Sequence, residues 1–421
     1  MKRVHFVVIL LLAAAPAAAQ SPADVVQRIL QSPKMKAAST FIEADYERFV
    51  REIIQLTEIP APPFKEEARG AAYLEMLKAH RLDDVERDAE GNVMGVRRGS
   101  GSGPMLAVLA HLDTVFPEGT DVTVRRDGDR LHAPGVGDDS RGLAIVLAIV
   151  RAMEAGGFDT SSDILFVGNV GEEGEGDLRG VKHLLQEGRY KDRIKLFVAI
   201  DGGDQDGITT GGVGSKRYRV TFKGPGGHSY GAFGLVSPAF AMGNAIQKLS
   251  RVRVPERPKT TFSVGVVEGG TSVNSIPFET SMLVDMRSES RRELDRVETA
   301  FVRLMHEAVE EENRVRSTAE GRLTVDVALI GDRPVGETPT GSAHVQYAAE
   351  TIRAFGMTPR YASGSTDSNI PMAMGIPAMT IGRGPGGRSH SLDEFTIVER
   401  AATAQSVKVA MTILLAIADA R

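Results

Sequence analysis

The sequence predicts an α/β protein: a mostly parallel sheet whose chain is interrupted by a smaller α+β unit. Three observations carry this. Short runs apolar on both faces alternate with helical patterns up to about residue 210, the mark of strands buried in a parallel sheet. Beyond Gly211 the strands alternate polar and apolar, as strands with one exposed face do. Near residue 332 the first pattern resumes.

Taken in order, Lys2 and Arg3 precede an apolar run from Phe6 to Ala19, with small residues Ala17 and Ala19 before Gln20. This is the layout of a secretory signal, so residues 1–19 are set apart and the protein is expected to be exported, to the periplasm. The run is too short to span a bilayer comfortably, and no membrane association is expected after cleavage. A first helix is expected over about 37–56, ended by Pro60, Pro62 and Pro63. Strands are expected at 105–110, 164–167 and 196–200, with helices at 141–154 and 178–187 between them. RYRVTFK at 217–223 opens the second pattern, followed by a helix at 238–249 and strands at 261–267 and 281–287. A helix over about 291–314 carries Leu294, Val297, Phe301, Leu304 and Ala308 at helical spacing, and a strand at 323–330 closes a ferredoxin-like β-α-β-β-α-β unit. A helix at 342–355, a strand at 378–381 and a helix at 398–418 complete the chain. The expected division is an α/β domain over 20–213 and 332–421, with an inserted domain over 214–331.

Composition narrows the chemistry. The 421 residues are 42% hydrophobic and 25% charged, the balance of a globular protein. The formal charge of −5 gives no electrostatic reason to bind nucleic acid. There is no cysteine, so disulfides, thiolate-held metals and thiol nucleophiles are excluded. Neither GPGG cluster (224–227, 384–387) continues into a Lys-Ser/Thr helix start, and the serine of GHSYG is not in a nucleophile elbow.

What remains is a set of acidic and imidazole groups at strand ends. His111 and Asp113 follow the strand at 105–110, Glu172 and Glu173 the one at 164–167, and Asp201 the one at 196–200. The strand at 378–381 leads to His390, and Asp138 lies in the turn GVGDDSRG before a helix. Open parallel sheets place sites at the carboxyl ends of strands. Singly, each of these residues also has a plain structural role: a hydrogen-bonded histidine, a helix N-cap, a solvated glutamate pair. Together they are a His/carboxylate donor set for zinc, manganese or cobalt, too rich for one tetrahedral ion and suited to two sharing a carboxylate.

These residues resemble the M20 metallopeptidases and their aminoacylase and deacylase relatives. HLDTV (111–115), GVGDDSRG (135–142), GEEGEG (171–176), DGG (201–203), GPGGHS (224–229), TSVNSIP (271–277) and SH (389–390) occur in the family's order. The wording of DGG and GEEGEG is most similar to tripeptide-aminopeptidase-like (peptidase T-like) members. The resemblance implies a zinc-peptidase catalytic domain with an inserted lid or dimerisation domain, and a possible homodimer. It implies two divalent ions, zinc first and cobalt or manganese as alternatives. Asp138 would bridge them, His111 and Asp201 completing one site and Glu173 and His390 the other. Asp113 would orient His111, and Glu172 would be the general base acting on a metal-bridged water. His228 would stabilise the oxyanion, in cis or across a dimer, and Asn274 and Arg287 would contact substrate. Asp at 201 matches the aminopeptidase and dipeptidase branches, where deacylases more often carry Glu. The expected activity is therefore amide hydrolysis in short peptides, with an N-acyl-amino-acid deacylase or carboxypeptidase as the alternative.

Overall fold

The computed structural model describes residues 20–419, so the leader expected over residues 1–19 lies outside the described residues. Two sheets organise the chain. The larger has nine strands, in the order Asp83–Arg87, Val93–Arg97, Ile164–Asn169, Met105–His111, Ile194–Ile200, Ala378–Ile381, Gly207–Gly212, Gly336–Glu337, with Arg360–Gly364 also on Gly207–Gly212. Its central pairings are parallel, and antiparallel strands flank them.

Alternation along Met105–His111 divides two cores. Leu106, Val108 and Ala110 face the helices Ser140–Gly156, Arg400–Ile417 and the N-terminal helices, whereas Met105, Ala107 and Leu109 face Arg179–Gln186. Ser140–Gly156 is apolar nearly all round because it is buried on nearly every side. Arg400–Ile417 is long and apolar enough to cross a membrane, but most of it is buried against neighbouring helices.

The helix expected over about 37–56 is two helices, Pro33–Ala44 and Tyr46–Thr57. The first begins earlier because Ser32 caps it, accepting from Met35 N ahead of Pro33. The chain turns at Asp45, whose carboxylate accepts from Arg151 Nε at 2.8 Å, while Glu52 of the next helix takes the same guanidinium. Strands at 83–87, 93–97, 207–212 and 360–364 also emerge, too short or too polar to have shown as apolar runs.

The second sheet runs Thr260–Gly269, Glu279–Ser288, Gly214–Lys223, Thr324–Arg333, antiparallel throughout. Its inward residues, including Phe222, Met282, Val284 and Met286, pack on Pro238–Leu249 and Arg291–Val315 around a separate core. A small sheet pairs Phe395–Ile397 with Arg130–His132 on one side and Gly386–Gly387 on the other. It ties the segment bearing His390 to the turn bearing Asp138.

Candidate metal centre

The chain is held at these strand ends by hydrogen bonds to its backbone. Leu112 N donates to Asn169 O at 2.7 Å, locking His111 beside the end of the neighbouring strand. The Asp113 carboxylate accepts from Glu172 N at 2.9 Å and Glu173 N at 2.7 Å, so it fixes the backbone of the glutamate pair. Glu394 does the same for the Gly-rich turn, accepting from Gly135, Gly137 and Asp138 N–H at 2.8–3.0 Å. Asp138 is no helix cap: its carboxylate is turned to the two imidazoles.

His111 Nε2 lies 3.1 Å from Asp138 Oδ1, and His390 Nε2 lies 3.3 Å from Asp138 Oδ2 and 2.8 Å from Glu173 Oε1. His111, Asp138 and Asp201 form one donor group; Asp138, Glu173 and His390 form another; in each the donor atoms lie within 4.8 Å of one another. The two groups share Asp138 through opposite oxygens, the arrangement of a bridging carboxylate. A third such group, His111 with Glu172 and Glu173, brings the remaining glutamate to the same place. This nitrogen and oxygen donor set fits divalent transition ions. His390 has a left-handed backbone, φ 66°, a conformation non-glycine residues adopt mainly where surroundings enforce it.

One expectation is refined. His111 Nδ1 is nearer the Asp113 backbone oxygen, at 3.0 Å, than its carboxylate, at 3.6 Å. A carbonyl only accepts, so Nδ1 carries a proton, and without an ion Nε2 donates to Asp138 as well. Although burial opposes it, Asp113 and Asp138 raise the imidazole well above its ordinary value, so Nε2 would turn a lone pair only to an ion that displaces that proton.

Burial dominates the electrostatics. It raises the Asp139 and Glu172 carboxyls well above the ordinary range, Arg333 opposing the rise at Glu172. Burial and the neighbouring Asp138 raise Asp201. At Asp138 burial also pushes upward, but Arg383, His111 and His390 outweigh it and hold the carboxyl well below its usual value. Contact with Asp138 and Glu173 lifts His390 to about 10. A pocket this crowded with carboxylates calls for positive charge.

Two arginines partly supply it, and the sequence reading missed both. Arg333 Nη1 lies 3.2 Å from Glu172 Oε1, and another nitrogen of the same group reaches the Glu172 carbonyl. Arg383 bridges Asp201 and Asp138. Their signals were slight: an arginine at the end of the last inserted strand, and another between two glycines.

The inserted sheet places its predicted residues elsewhere. Gly227–His228 pairs with Ser275–Ile276, and Ser229 N donates to Asn274 O, so His228 and Asn274 sit together on an exposed ribbon. Tyr230 and Gly231 N–H point at His228 Nδ1 from 3.3 Å, which leaves Nε2–H outward. Among the described residues no hydrogen bond or ion pair joins His228 or Asn274 to the carboxylate cluster. Arg287 is on neither; it pairs with Asp285 at 2.8 Å, and Asp285 also takes Arg217.

The model of peptidase family M20/M25/M40 matches residues 107–416, which span every donor of both groups. The chain belongs to this family. This M20 chain is 23% identical over 304 residues to carboxypeptidase G2 of Pseudomonas sp., covering 71% of each. Its fold is similar to aminopeptidase PepT of Bacillus cereus, with TM-score 0.70 at 21% identity over 89% of this chain and 99% of that one. It is also similar to the YxeP protein of Bacillus subtilis, a dinuclear metal-binding peptidase, with TM-score 0.64 at 17% identity over 89% and 99%. The M20 chain is a metal-dependent hydrolase of amide bonds, on the α/β architecture of its family.

Proposed function

We propose that the protein is an exported hydrolase of short peptides, using two zinc ions held by His111, Asp138 and Asp201 and by Asp138, Glu173 and His390. The observation that supports this is the pair of donor groups sharing Asp138 through its two oxygens. Ions bound there supply Lewis acidity, which polarises the scissile carbonyl and acidifies water. The chain's own residues do the rest. Glu172 accepts the proton of the attacking water at its carboxylate and returns it to the departing amine. Arg333 holds that carboxylate, and Asp113 holds its backbone. His228, with Nε2–H outward, is suited to donate to the oxyanion once the inserted domain approaches, and Asn274 beside it to hold the substrate. The exposed Tyr230, Phe233 and Val273 on the same ribbon support pairing with a second copy.

Asp201 favours removal of amino-terminal residues. A second reading, release of carboxyl-terminal residues or hydrolysis of N-acyl amino acids, is favoured by Arg217. Its guanidinium reaches the Gly174 carbonyl beside Glu173, and because it shares the single carboxylate of Asp285 with Arg287, the pair keeps a net positive charge suited to a substrate carboxylate.

The test is mass spectrometry of short peptides, each with free and acetylated amino ends and free and amidated carboxyl ends. Single amino-terminal losses from free peptides alone support the first reading. Loss of carboxyl-terminal residues, or release of the acyl group, supports the second. No cleavage in the presence of zinc, cobalt or manganese overturns both. Intact mass of the protein recovered from the periplasm tests export, with Gln20 expected first.

A further inference from the structure

Arg383 is a fixed cation inside the donor set. Its Nη1 meets Asp201 Oδ1, its Nη2 lies 3.4 Å from Asp138 Oδ2, and Asp139 Oδ1 is 3.9 Å away. The same Nη2 also donates to Ser389 Oγ at 3.1 Å. The Arg383 backbone is anchored, since its carbonyl accepts from Arg141 Nε at 2.7 Å. Arg141 is fully buried, also donating to Thr396 Oγ1, Ile397 O and Ser406 Oγ. The next residue, Gly384, packs so closely that a Cβ there would lie 2.5 Å from Ser406 Oγ and 2.7 Å from Arg141 Nη2. This clamp fixes the backbone from which the Arg383 guanidinium reaches the donor set, and Ser389 holds the guanidinium beside it.

The two donor groups meet this cation unequally. Arg383 engages two of the three donors of one group, Asp138 and Asp201, and occupies one Asp201 oxygen outright. It touches the other group only through the shared Asp138, and that group opens to solvent at His390, whose side chain is 53% exposed. A guanidinium a few ångströms from a dication repels it strongly where water is scarce. It also draws off carboxylate charge that would otherwise serve the ion.

We propose that Arg383 makes the two ion sites unequal: the Asp138/Glu173/His390 site fills first and tightly, and the His111/Asp138/Asp201 site binds a weak, exchangeable second ion. The resting protein then carries one ion at low metal concentration, and Arg383 serves as counter-charge for Asp138 and Asp201 until the second arrives. The inference rests on the two-ion reading above.

Calorimetric titration of metal-stripped full-length protein with zinc, with bound ions counted by elemental mass spectrometry, tests it on the wild type, Arg383→Gln and Arg383→Lys. The wild type is expected to bind two ions with Kd values at least about thirtyfold apart. Arg383→Gln should tighten the weaker site about tenfold or more and leave the stronger within about threefold. Arg383→Lys, with one charge but no fork, should fall between, and it supplies the comparison if the glutamine variant does not fold. Two equal sites in the wild type, or a second site unchanged or weakened by removing the guanidinium, overturn the assignment of Arg383. At most one ion in wild type and variants alike overturns the two-ion reading itself.

Discussion

Glu172 and Glu173 are adjacent, buried and chemically identical, yet their surroundings give them different work. Glu173 faces His390 and shares a donor group with Asp138, while Glu172 is turned to Arg333. Glu172→Gln is expected to keep the same ion count and lose about 10²–10⁴ in kcat, the usual worth of a positioned acid–base group. Elemental analysis of the variant is the deciding control, because Glu172 also falls in a possible donor group with His111. Loss of an ion in Glu172→Gln would make it a ligand and leave the base unassigned. Glu394 makes a different prediction. It satisfies three buried N–H groups of the turn that carries Asp138, so Glu394→Ala should cost about 3 kcal/mol or more in urea unfolding. It should weaken ion binding as well, although Glu394 is not among the donor groups.

At the scale of elements, the site depends on how closely the helix Ser140–Gly156 approaches the strand Ile194–Ile200. Gly142 is in the first turn of that helix, and a Cβ there would lie 2.4 Å from the Ile200 carbonyl and 2.2 Å from Asp139 Oδ1. Those atoms belong to backbone and to a fully buried side chain, so neither can yield cheaply. Gly142→Ala is expected to push the helix off the strand that delivers Asp201, lowering Tm by several degrees and weakening ion binding together. A lower Tm with unchanged ion affinity would show that the strand end holds Asp201 by itself. This architecture was largely legible in the residues. The strands Met105–His111 and Ala378–Ile381 and the helices Pro238–Leu249 and Arg291–Val315 announce themselves by apolar spacing, because burial of their side chains defines them. The break at Asp45 was not legible, since it is made by Arg151, a distant partner that no local pattern reveals. Arg333 and Arg383 were hidden for the same reason. An arginine in a list of residues reads as surface charge until the fold sets it against buried carboxylates.

Across the whole molecule, the second sheet is joined to the first unit near the site by polar contacts: Arg217 to the Gly174 carbonyl, Lys182 to the Asp332 carbonyl, and Asp332 N to Asp177. Global stability therefore lies mainly in the cores, and its pH dependence in the groups they bury. Two of these act oppositely over nearly the same interval in the metal-free protein. Burial, with Arg151 and Arg48 nearby, lowers His80 to about 4. Between about pH 6.5 and 4 the unfolded chain binds a proton that the folded chain refuses, so His80 costs stability as pH falls through that range. Burial raises Asp367 to about 7. Between about pH 4 and 7 the folded chain keeps a proton that the unfolded chain releases, so Asp367 costs stability as pH rises, and the full cost persists above pH 7. Urea unfolding of the metal-free protein at pH 8, 6 and 4.5 separates them. His80→Gln should match the wild type at pH 8 and gain on it steadily toward pH 4.5. Asp367→Asn, which can still accept from Asn169 at the same position, should be the more stable protein at pH 8 and lose that advantage toward pH 4.5. If both variants ran parallel to the wild type across the three pH values, acid sensitivity would have to come from the ion pairs that join the two sheets, Arg333 with Glu172 and Asp177, and not from His80 and Asp367.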